Sequence, residues 1–128
     1  MSAAKPAILL LAHGARDPRW AAPFEAMAAR IATLAPDLAV RLSYLDFIEP
    51  SLADAGKQLV QEGCDRIDIV PLFLGSGGHV RNDVPRLVAE LRTHDLSVTW
   101  TLHPAIGELN EVIEAMANAA LRLTRRNG

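Results

Sequence analysis

Six consecutive apolar residues, Ala7-Ile8-Leu9-Leu10-Leu11-Ala12, run without any alternation of polar and apolar positions. A strand with one wet face alternates, whereas a strand covered on both faces does not, so this run predicts a central strand of a parallel sheet with helices on each side. The rest of the chain agrees with that prediction. Helical spacing of Phe24, Met27, Ile31 and Leu34 marks a helix over 18–34, ended by Pro36 and Asp37. A second strand is expected over 39–47, and Pro50-Ser51 opens a helix carrying Leu52, Ala55, Leu59 and Val60, which Gly63 stops. A third strand is expected over 67–74, then the loop Gly75-Ser76-Gly77-Gly78. A helix beginning at Val80 or Val84 and ending near Leu91 comes next, with Pro85 placed in its first turn. A fourth strand over 97–102 and a helix over 107–123, striped by Leu109, Val112, Ile113, Met116 and Ala120, complete the pattern.

Four strands alternating with four helices define one α/β domain, a doubly wound four-stranded parallel sheet with helices on both faces and a core over about 7–123 of the 128 residues. In such sheets ligands bind outside the carboxyl ends of the strands, and this rule sorts the polar residues. His13, Glu49, His79 and His103 each follow a strand and fall on that edge. His94 precedes the fourth strand and falls on the opposite one. Two imidazoles and a carboxylate in one cleft suit Co, Fe, Ni or Zn better than Mg or Ca. Arg16 and Arg81, close to the two central histidines, are candidates for gripping an acidic ligand, with Asp17 and Asp83 as alternative ion-pair partners. For His103 a structural role stays open beside a role in the site. The glycines at 75, 77 and 78 either admit a flat ligand or make a tight turn.

Other classes are disfavoured. A net charge of −2 provides no global field for nucleic acid, and the apolar run from Ala7 is too short for an export core or a membrane span, so a cytoplasmic protein is expected. A single cysteine, Cys64, rules out an internal disulfide and a cysteine-only metal cluster; it reads as a small apolar residue before a strand. A histidine phosphatase wants an arginine directly before its histidine, and here Ala12 stands there. A nucleotide module would need a third glycine where Val80 stands, and no Gly-Lys-Ser/Thr follows. A metal carrier without turnover fits the same ligands and is separated from an enzyme only by assay.

The segments Ala12-His13-Gly14-Ala15-Arg16-Asp17-Pro18 and Pro71-Leu72-Phe73-Leu74-Gly75-Ser76-Gly77-Gly78-His79-Val80-Arg81-Asn82-Asp83-Val84-Pro85 resemble the small sirohydrochlorin chelatases of the CbiX and SirB type. The resemblance implies insertion of Co2+ or Fe2+, as substrate, into sirohydrochlorin, for cobalamin or siroheme biosynthesis. It implies that His13 and His79 bind the metal, joined by Glu49 within Phe47-Ile48-Glu49-Pro50-Ser51, while Arg16, Arg81, Ser76, Gly77 and Gly78 contact the tetrapyrrole. Ala15 replaces the family's usual serine. No permanently bound cofactor is implied, nor an iron–sulfur cluster, since the extension of longer members has no counterpart here. Two-domain relatives hold the ring between similar halves, of which this chain resembles one, so a homodimer is expected.

Overall fold

The structure, a computed structural model, describes residues 4–75 and 77–125, apart from the side chain of His79. Its strands are β1 (Pro6–Ala12), β2 (Ala39–Tyr44), β3 (Arg66–Pro71) and β4 (Thr99–Leu102). Its helices are α1 (Ala22–Leu34), α2 (Leu52–Gln61), α3 (Gly78–His94) and α4 (Asn110–Thr124). Short 3-10 turns at Pro18–Ala21 and Ile106–Glu108 lead into α1 and α4. All strand pairs are parallel, in the order β2-β1-β3-β4.

The unbroken apolar run is the most enclosed part of the molecule. Ala7, Leu9 and Leu11 point to the face covered by α2 and α3, where they meet Leu52, Leu59, Ile67, Ile69 and Val88. On the other face Ala12 and Tyr44 pack with Trp20 and Phe24 beneath α1. Burial of Leu9, Leu10 and Leu11 removes nearly all their surface from water, which stabilises the fold by roughly 2 kcal/mol for each side chain. Gly56 lets α2 approach: a Cβ there would stand 3.1 Å from the Trp100 ring and 3.2 Å from Leu91. Ser43, fully buried on β2, donates its hydroxyl to the Leu10 carbonyl at 2.7 Å and so carries no unpaired polar group into the core.

Several boundaries differ from the sequence pattern, and three of them shape the site. β2 stops at Tyr44 rather than residue 47, because Phe47 takes a left-handed backbone (φ 69°) that no strand accepts, although Leu45 and Asp46 still donate to the carbonyls of Ala12 and His13. β3 ends at Pro71, where the chain turns to receive the Gly107 amide on the Phe73 carbonyl. α3 begins at Gly78, so Pro85 lies in its interior rather than its first turn; its ring withholds the usual amide from the Arg81 carbonyl four residues earlier.

Candidate metal and tetrapyrrole site

The strand order puts the topological switch between β1 and β3: from β1 the chain moves outward to β2, then returns to β3 and continues to β4. Helices leave the sheet in opposite directions at such a point and open a crevice at the carboxyl edge. His13 stands one residue past β1, and His79 is the second residue of α3, reached from β3 through the glycine loop. The two neighbouring central strands therefore deliver both histidines to the crevice. Leu72 keeps the strands in step there by donating to the Leu11 carbonyl at 2.8 Å.

The His13 turn is rigidly built. Gly14 has φ +93°, and a Cβ on it would fall 1.8 Å from the Asp46 carbonyl oxygen, so only glycine fits. The Asp46 amide donates to the His13 carbonyl at 3.0 Å. The His13 imidazole is exposed to solvent on one side and rests on the Phe73 ring on the other, centroids 4.2 Å apart. Beside it lies a cavity of about 270 Å³ whose acidic lining is Asp46 and Asp83.

Arg16 is exposed, with its guanidinium 5.0 Å from the centroid of the Phe47 ring. Asp17 does not take it as partner: its carboxylate caps the Arg19 amide at 2.9 Å and pairs with the Arg19 guanidinium at 2.8 Å. Those contacts hold the Asp17 carboxyl below the usual carboxylate range. Asp83 pairs with Arg86 at 3.1 Å. Arg81 lines a second cavity of about 320 Å³ at the same edge, shared with Phe73, His103, Pro104 and Glu108.

Gly75, Gly77 and Gly78 have nothing within 4 Å of a notional Cβ, and Gly77 caps α3 in an extended conformation (φ −74°) open to any residue. Backbone geometry does not require a glycine at 77. Ser76 and the His79 side chain lie outside the described residues. Glu49 is exposed beyond β2 and does not line the His13 cavity. Among the described residues no group of three or more His, Cys, Asp or Glu side chains converges on a metal position. His103 follows β4 at the same edge, and its Nε2 lies 2.8 Å from Asp68 Oδ1. His94 ends α3 at the opposite edge.

Sequence reasoning missed Phe73 as the platform for His13, and Asp46 as the carboxylate beside it. Asp46 and Glu49 are three residues apart in the same loop and both are exposed, but only Asp46 lines the cavity beside His13.

The CbiX family model matches residues 7–123. The sirohydrochlorin cobaltochelatase of Methanopyrus kandleri is 29% identical over 82 residues, which is 64% of this chain and 57% of that protein, so the match spans little more than half the relative's length. A Marinobacter aquaeolei VT8 CbiX protein of cobalamin (vitamin B12) biosynthesis superposes with a TM-score of 0.81 at 31% identity, covering 94% of this chain and 98% of that one. SirB from Bacillus subtilis subspecies spizizenii, a sirohydrochlorin chelatase solved in complex with cobalt, superposes with a TM-score of 0.74 at 25% identity. That match covers 93% of this chain and 51% of SirB.

Proposed function

The chain belongs to the CbiX family, and on that premise we propose that it is a sirohydrochlorin chelatase, inserting Co2+ or Fe2+ into the tetrapyrrole as one cytoplasmic chelatase domain. The observation that carries the reading is the delivery of His13 and His79 by adjacent central strands to one crevice at the switch point. The cobalt complex of SirB supports it.

Insertion requires a divalent ion held beside the ring, two pyrrole protons removed, and a macrocycle gripped firmly enough to distort. Neutral imidazoles of His13 and His79 supply nitrogen donors for a borderline-soft ion. Glu49 is the third ligand by the family resemblance; it stands outside the His13 cavity, so its loop must turn inward to reach the ion. Once the ion passes to the ring, the freed imidazoles and carboxylate take up the pyrrole protons. Arg16 stands clear of Asp17, which Arg19 occupies, and with Arg81 it binds the carboxylates around the ring. The bare backbone at Gly77 and Gly78, with Ser76 between the open glycines, takes the flat face.

SirB is about twice as long as this chain's match to it. A symmetric homodimer, with carboxyl edges facing across one cleft, rebuilds the missing half. The test is anaerobic incubation of the pure protein with sirohydrochlorin and Co2+ or Fe2+ in turn, followed by absorption. Catalysed loss of the free-ring spectrum is expected. A rate equal to that without protein for both ions refutes the reading, and stoichiometric metal binding without turnover identifies a carrier.

A further inference from the structure

A three-residue turn at the carboxyl edge is centred on a residue that the backbone there does not favour. The Ile48 amide donates back to the Asp46 carbonyl at 2.8 Å across Phe47, whose φ is 69°. Turns of this hand are rare and strained, and glycine or asparagine meets their backbone more readily than a bulky side chain does. Both ends of the turn are fixed: the Asp46 amide donates to the His13 carbonyl at 3.0 Å, and Ile48 packs beside Ala12 and Tyr44. Phe47 gains no burial in exchange, since it remains 65% exposed.

A ring held outward against backbone strain, with no packing to offset it, marks a contact made with something other than this chain. Its setting names the ligand. β2, β1 and β3 are neighbours in that order, and past their carboxyl ends stand Phe47, His13 and Leu74. Leu74 is 69% exposed, and its backbone is closely approached by Gly107, where a Cβ would fall 2.2 Å from the Leu74 carbonyl oxygen. The strands that deliver the two large apolar side chains lie two strand spacings apart, about 10 Å, which is the scale of a tetrapyrrole core, with His13 between them. Arg16 supplies the matching charge: its guanidinium stands 5.0 Å from the Phe47 ring centroid, so an apolar surface and a cation are presented together. A macrocycle that is flat and apolar within and anionic at its rim is complementary to that pairing.

We propose that Phe47 and Leu74 are apolar rails for the tetrapyrrole: Phe47 stacks on the macrocycle while Arg16 takes a carboxylate at its rim, and Leu74 supports the opposite side, with His13 between. The proposal rests on the chelatase reading above and adds the residues that hold the macrocycle by its face. Leu96 is the contrasting case. It is 88% exposed, but it lies between α3 and β4 at the far edge, away from both histidines. The contact through the ring and the contact through the charge are separable, because salt screens the second and not the first.

Anaerobic titration of metal-free sirohydrochlorin, followed by quenching of its fluorescence, tests this on the wild type and on variants at 47, 74 and 96, with urea unfolding of each alongside. Phe47→Gly is expected to weaken binding at least about tenfold, while its unfolding midpoint stays level or rises because glycine accepts the positive φ. Phe47→Leu keeps the strain and loses the ring, and should weaken binding about fivefold; Phe47→Tyr restores the ring and should recover the affinity to within about threefold. Leu74→Ser should weaken binding about fivefold through lost apolar contact, and Leu96→Ser should not weaken it. The Phe47 losses should persist at high salt. Phe47→Gly that binds like the wild type overturns the stacking and leaves the chelatase reading standing, as do losses that vanish at high salt. Where Phe47→Gly does not fold, Phe47→Leu decides in the same way. Leu74→Ser at wild-type affinity removes the second rail, and a wild type that neither binds the ring nor inserts metal into it overturns both the rails and the chelatase reading.

Discussion

The imidazole of His13 rests against the ring of Phe73, their centroids 4.2 Å apart and their planes tilted by 34°. Phe73 is itself only 3% exposed, anchored in the core between β3 and α3. An imidazole with one solvent-facing side thus inherits the rigidity of the core through a ring contact. If His13 holds the metal as proposed, Phe73 acts as its positioning residue. Phe73→Leu keeps the volume roughly filled, at a cost of about 1–2 kcal/mol in stability. It frees the imidazole to swing, so kcat is expected to fall about tenfold with the sirohydrochlorin KM little changed. Kinetics alongside thermal unfolding separate the roles: lost stability with unchanged kcat means that Phe73 only fills the core.

The two kinds of glycine at the site should respond oppositely to alanine. Gly14 has a left-handed backbone and no room for a Cβ; Gly14→Ala is expected to cost more than about 2 kcal/mol by urea unfolding. Gly77 meets open space, and Gly77→Ala should leave stability within about 0.5 kcal/mol while raising the KM for the tetrapyrrole. An unchanged KM would make that loop a turn and nothing more.

Much of the fold was readable in the residues, and the limits have physical causes. The unbroken apolar run at Ala7 determined a two-sided parallel strand, and the rule for carboxyl edges then separated His13, His79 and His103 from His94. Periodicity could not show that Phe47 adopts a positive φ and ends β2 early, because nothing about a phenylalanine announces that conformation. Nor could spacing decide between Arg16 and Arg19 for Asp17, since both are within reach; the helix-capping bond to the Arg19 amide settles it. The stripe on α4 was plain in the sequence, but a stripe says only that a helix wants an apolar surface, and not which surface receives it.

The two arginines should act on binding. Arg16→Ala and Arg81→Ala are each expected to raise the sirohydrochlorin KM about tenfold with smaller changes in kcat. Raising the ionic strength should imitate them, because screening weakens the same attraction. Lysine should restore only part of the loss, lacking the planar fork. Steady-state titration with the tetrapyrrole decides the matter, and an unchanged KM in both alanine variants removes the arginines from the site.

Cys64 lies at 2% exposure before β3, and burial pushes its thiol pKa up. At pH 8 the native protein should therefore react with iodoacetamide at least about 100-fold more slowly than the urea-unfolded chain, since the thiolate is the reactive form. Mass spectrometry of a time course reads this directly, and rapid labelling of the native protein would show that the α2–β3 corner opens readily.

The central claim is that His13 and His79 present the metal to the ring, and the decisive measurement is the anaerobic rate of metal insertion in folded His13→Ala and His79→Ala, with His94→Ala as the far-edge control. Each of the first two is expected to lose at least about 100-fold, a barrier increase of roughly 3 kcal/mol. His94→Ala should match the wild type, and the double histidine variant should be little worse than either single one, because ligands of one ion act as a unit. A folded His79→Ala protein that chelates both cobalt and iron at the normal rate would contradict that claim.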